Sequence, residues 1–121
     1  MRGMAARPKI TTVPEYLELL TPAQRAKLKP VLTLIRKAVP GSVPVISYGI
    51  PAFRQDKVFI YCAAFMAHIG IYPPVRGDAR LVAALKRYAG PKGNLQFPFD
   101  EPLPHGLVTR VARALAKARL S

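Results

Sequence analysis

Apolar residues recur at two spacings along the chain, and the change from one to the other divides it into elements. Leu28, Val31, Leu32, Ile35 and Val39 stand three or four apart and predict a helix with one buried face. Its start is marked by "TPAQ", where Thr21, Pro22 and Gln24 match a capping box with proline at the first helical position. Its stop is marked by Pro40 and Gly41. Pro30 falls inside this periodic run, where a missing N–H and a clash with the carbonyl of Ala26 cost ~3 kcal/mol in a straight helix. A bend or restart is expected there. A short helix precedes it, with Thr12 as cap, Pro14 in the first turn, and Glu15 and Glu18 near the positive helix end.

From Val45 to Pro73 the residues become β-branched and aromatic, predicting strands near 45–48, 51–54, 57–65 and 68–73, with a hairpin turn at Gln55 and Asp56. "KVFIYCAAF" is apolar at nearly every position and predicts a strand covered on both faces for much of its length. Helical spacing returns through Leu81, Val82, Leu85 and Tyr88 after an opening at Gly77 and Asp78. "GPKGNLQFPF" reads as a loop feeding a short fifth strand. In the last segment Leu107, Val108, Val111 and Leu115 form an apolar face opposite Arg110, Arg113 and Lys117, which predicts an amphipathic helix against a sheet. The expected class is α+β: a single compact domain with helices packed on an antiparallel sheet of about five strands. Residues 1–11, with Arg2, Arg7 and Lys9, read as a flexible basic tail ahead of a domain over 12–121.

Four stretches stand in a familiar order: "VPEYLELLTPAQRAKLKPVLTLIRKAVPG", "ISYGIPAF", "AAFMAHIGIYP" and "YAGPKGNLQFPFDEPLP". Over residues 13 to 119 the chain resembles the YdhG-like domain family, some members of which are described as frataxin-like intracellular iron chaperones. The resemblance implies a compact α+β domain, no established enzymatic reaction, and iron as a possible cargo. Iron handling of that kind relies on carboxylate-rich helical surface, since iron ions are well served by oxygen ligands. Here Glu15 and Glu18 are the only acidic pair on one helix, while Asp56, Asp78, Asp100 and Glu101 are scattered.

Charge changes the picture further. Nineteen Lys and Arg against six Asp and Glu give a formal +13, which repels metal cations and attracts polyanions. Abundant Ala and Pro alongside scattered Arg offer a purely compositional explanation of the same figure. Arg25, Lys29 and Arg36 share a face of the long helix, as Arg110, Arg113 and Lys117 do on the last one, so any nucleic-acid binding there is to phosphates and nonspecific. No apolar run approaches the ~20 residues of a membrane span, and the first residues lack the apolar stretch of a secretory signal; a cytoplasmic location is expected. Cys62, the single cysteine, excludes an internal disulfide and reads as a buried, inert thiol.

The inventory of chemistry is short. No phosphate-binding glycine loop or nucleophile elbow is present, and neither Cys62 with His68 nor His68 with His105 has metal-ligand spacing. Ser47 and His68 lack an acid to complete a triad. A pocket is better supported: on one strand His68, Gly70 and Tyr72 point to one face, and Tyr48, Gly49, Phe53, Lys92 and Phe97 from flanking motifs could join them around a small anionic or aromatic ligand. The expected function is a non-enzymatic binding or chaperone-like domain, monomeric or homodimeric, whose partner is a small ligand or a protein. Nonspecific polyanion binding is the main alternative; an enzyme acting on an anionic metabolite through His68, Tyr72 and Lys92 is a third.

Overall fold

The structure, a computed structural model, describes residues 9–120. Arg2 and Arg7 of the expected basic tail lie outside these. α1 (Val13–Glu18) opens on a capping box: Thr12 Oγ1 accepts from the amide of Glu15, and Glu15 Oε1 accepts from the amide of Thr12. α2 (Pro22–Ala38) repeats the device with Thr21 and Gln24. The guanidinium of Arg25 then donates to the carbonyls of Leu17 and Leu20, both at 3.0 Å, and ties the end of α1 to the start of α2.

The restart expected at Pro30 does not occur, because α2 is continuous from Pro22 to Ala38. Pro30 and Ala26 both lie on the exposed face, so the carbonyl that Pro30 leaves without a donor can be satisfied by water.

Five strands follow: β1 (Val43–Ser47), β2 (Ile50–Gln55), β3 (Lys57–Ala64), β4 (His68–Tyr72) and β5 (Leu95–Pro98). They form one antiparallel sheet in sequence order, β1-β2-β3-β4-β5. α3 (Ala79–Ala84) and a 3-10 turn at Lys86–Tyr88 lie between β4 and β5, and α4 (His105–Leu120) closes the chain. The segment expected as one helix to Tyr88 thus changes geometry after Ala84. Leu81, Leu85 and Tyr88 are buried as its pattern requires, but Val82 is exposed.

Two hairpin turns carry positive φ. Tyr48 (φ 53°) and Gly49 (φ 78°) join Ser47 to its partner Ile50, the two-residue connection whose twist suits antiparallel strands. At the next hairpin Gln55 still pairs with Lys57, and Asp56 alone (φ 68°) makes the reversal.

The register fixes the faces of the sheet. Phe53 opposes Ile60, Cys62 opposes Ile71, which opposes Leu95, and Ile69 opposes Phe97. These residues form one buried cluster with Leu28, Val31 and Ile35 of α2 and Val108, Val111 and Leu115 of α4. The helices therefore cover one face, and Tyr16 and Leu17 of α1 pack against the same cluster. Ala52, Ala63 and Gly70 occupy the other face and are buried too, so β3 is covered on both sides over its second half. Tyr16 Oη accepts from the amide of Ala64 at 3.2 Å, where β3 runs past the paired part of β2.

Candidate functional site

His68, Gly70 and Tyr72 do lie on one face, the one turned away from the core cluster. A Cβ on Gly70 would stand 2.8 Å from Phe65 Cε2 and 2.9 Å from Tyr72 Oη, so the glycine lets both side chains lie down on the sheet. Phe65 stacks on His68 with centroids 4.9 Å apart and planes at 24°. Tyr61 pairs directly with Tyr72, and Tyr48 lies 6.0 Å from Tyr61. Five rings, Tyr48, Tyr61, Tyr72, Phe65 and His68, thus cross the sheet from the β1–β2 turn to β4. Tyr48, at 90% exposure, projects from the hairpin tip into solvent.

The remaining pocket candidates are not brought to this face. Phe53 and Phe97 alternate to the opposite side and are buried in the core, at 1% and 2% exposure. Gly49 has nothing within 4 Å of its would-be Cβ and serves the turn. Lys92 lies beside Gly93, Arg76 and Leu95 at the far end of β4 from His68, lining a hollow of about 190 Å³.

Among the described residues, the cavity best placed to take a ligand is at that far end. A cleft of about 480 Å³ opens between the start of β3, the segment following β4 and the C-terminal half of α4. Val58, Phe59, Val75 and Leu115 supply apolar wall, Tyr61 and Tyr72 border it from the sheet, and Arg76 and Arg119 supply charge. The cis peptide between Tyr72 and Pro73 and the following Pro74 form the rim. Ala114 and Ala118, four apart on α4, face the cleft and are too small to fill it. Of the pocket candidates chosen from sequence, only Tyr72 lines it. A loop reading "YPPVRGDAR" gave one signal, since paired prolines hold extended backbone and present the arginine that follows.

The cationic candidates are placed unevenly. Lys29, Arg36, Arg110 and Lys117 are exposed, but Arg25 is held by two carbonyls and Arg113 Nε reaches the Ala38 carbonyl at 3.4 Å. Both arginines compensate the negative end of a helix. Among the described residues the one ion pair is Arg87 with Glu101, at 2.8 Å on the surface.

For metals, Glu15 Oε1 accepts from Thr11 N, Thr11 Oγ1 and Thr12 N, at 2.9, 2.9 and 3.0 Å. These hydrogen bonds, the Thr11 amide first, hold its carboxyl below the usual range. That oxygen is committed to capping. Glu18 is exposed, and no group of three His, Cys, Asp or Glu side chains comes together among the described residues. Cys62 is fully buried, and burial pushes its thiol up to about 12, far from a reactive thiolate.

Neither a family model nor a curated protein matches the sequence. Among solved structures, YdhG of Bacillus subtilis, a DUF1801-family protein, superposes with a TM-score of 0.78. The chain has the YdhG fold. The match covers 91% of this chain and 92% of that one at 18% identity, so it speaks for the fold and leaves the side chains free to differ. The YdhG-like α+β domain implied by the sequence resemblance is the architecture observed. Among the described residues no helix is long and apolar enough to cross a membrane.

Proposed function

We propose that the protein acts in the cytoplasm as a non-enzymatic binding module for a small molecule with an apolar or aromatic body, held in the cleft beside Tyr72. The observation that carries this reading is the cleft itself: about 480 Å³, walled by apolar side chains, with a few polar groups at its edge. Ligand sites have this volume and composition, on the order of 300–1,000 Å³ with few, placed polar groups. The small side chains of Ala114 and Ala118 keep the space open, where larger ones would fill it. Iron carriage, the role described for some members of the resembled family, finds less support here because the one acidic pair is half used by a helix cap.

Blocking the cleft tests this. The anionic dye 8-anilinonaphthalene-1-sulfonate should bind the wild type at one site, and Ala118→Trp, at an exposed position on the rim, should abolish that binding without lowering Tm. Unaltered dye binding in a folded Ala118→Trp variant would remove the cleft as the site.

The row of rings favours a second reading. On the sheet face opposite the helices, in a chain of +13, Tyr48, Phe65 and His68 offer stacking surface to single-stranded nucleic acid, a different mode from phosphate contacts along the helices. Base stacking on an aromatic side chain contributes about 1–3 kcal/mol. Tyr48→Ala with Phe65→Ala should then weaken a labelled oligothymidylate by about 10-fold or more and leave duplex binding unchanged. Equal loss on both substrates would dismiss stacking.

A further inference from the structure

The cleft does not end at Arg76. A second hollow, of about 560 Å³, shares Arg76, Ala114 and Ala118 with it and adds Gly77, Asp78, Ala79, Arg80 and Lys117. The two make one trough, running from the apolar wall at Phe59 and Leu115 past the small residues of α4 to a basic end. Three cations, Arg76, Arg80 and Lys117, stand at that end against one acid. The acid, Asp78, turns its Oδ1 to the amide of Leu81 at 3.0 Å as the cap of α3. Its hydrogen-bonding capacity is partly spent on the helix.

We propose that the ligand of this site is a phosphate monoester, with its apolar or aromatic body in the cleft and its phosphate among Arg76, Arg80 and Lys117. The inference rests on the cleft reading above and adds the head group to it. A trough that is mostly apolar at one end, where Arg119 is the one added charge, and cationic at the other selects an amphiphilic anion. The number of cations selects the anion's charge: a carboxylate brings one negative charge, whereas a phosphate monoester brings about −1.5 to −2 at neutral pH and three acceptor oxygens. Two arginines suit it because a guanidinium meets two phosphate oxygens at once, and a lysine adds a compact point charge. Arg76 belongs to both halves of the trough and sits where body and head group join.

The test compares 1-naphthyl phosphate with 1-naphthol, using naphthyl fluorescence, which the chain does not obscure because it contains no tryptophan. The phosphate should bind the wild type about 10-fold or more tightly than the naphthol, as expected for hydrogen bonds to charged groups. That advantage should shrink between about pH 7.5 and about pH 5, as the monoester takes up its second proton near pH ~6. Arg80→Gln with Lys117→Gln should erase the advantage and leave naphthol affinity unchanged. Lys29→Gln with Arg36→Gln removes the same charge from α2 and should leave the advantage intact, which separates a placed site from the general field of a +13 chain. If naphthol binds and the phosphate gains nothing, or if both double variants reduce the advantage equally, the phosphate assignment is overturned and the cleft reading stands. If neither compound binds the wild type, both fall.

Discussion

Replacing Phe53 by Ala should destabilise the fold by about 3–5 kcal/mol, the usual cost of emptying a buried aromatic site. Against a total of about 5–15 kcal/mol for a domain, this is a large fraction, and Tm should fall by roughly 10–25 °C. Phe53 stands opposite Ile60 in the register and belongs to the cluster that α2 and α4 close, at 1% exposure. Removing the ring leaves a void that the sheet cannot collapse into without breaking its ladder. Thermal and urea unfolding measure the loss directly. A change under about 1 kcal/mol would mean that the ring lines accessible space, as its sequence motif first suggested, and that the assignment of sheet faces is wrong.

Pro30→Ala should do the opposite. A helix-interior proline is about 3 kcal/mol less favourable than alanine, and α2 is unbroken around this one. Alanine restores a donor for the Ala26 carbonyl. Proline also restricts the unfolded chain, and losing that restriction returns about 1 kcal/mol of the gain. The expected net stabilisation is about 2 kcal/mol, seen as a higher urea midpoint with an unchanged slope. Destabilisation would show that the pyrrolidine ring makes packing contacts worth more than the hydrogen bond it prevents.

The helices and strands were legible because each is specified locally. The cap at Thr12 and the capping box at Thr21, the period of α2 and α4, and β-branched runs between punctuating turns all act over a few residues. The continuity of α2 through Pro30 was not legible, because it depends on which face of the helix meets water, a property of the packed domain. The reading of "ISYGIPAF" as pocket-forming failed for a related reason. Its Tyr48–Gly49 pair is a turn, and its Phe53 alternates into the core. Turn chemistry favours Asn or Asp before the glycine, so tyrosine at positive φ gave little local warning. The cleft is the clearest case: Val58, Arg76, Ala114 and Arg119 are remote in sequence and meet only because α4 crosses the end of the sheet. Within α4 the small residues at 114 and 118 read as ordinary helix formers, and their importance lies in the volume they leave empty.

The most direct test of the central claim is to map, by amide chemical-shift perturbation, where 1-naphthyl phosphate binds the uniformly labelled chain. The cleft account predicts saturable shifts concentrated at Val58–Tyr61, Tyr72, Val75–Arg80 and Ala114–Arg119, with the face carrying Phe65 and His68 unmoved. Shifts confined to Tyr48, Phe65 and His68, or spread without saturation over the exposed cations of α2 and α4, would contradict it.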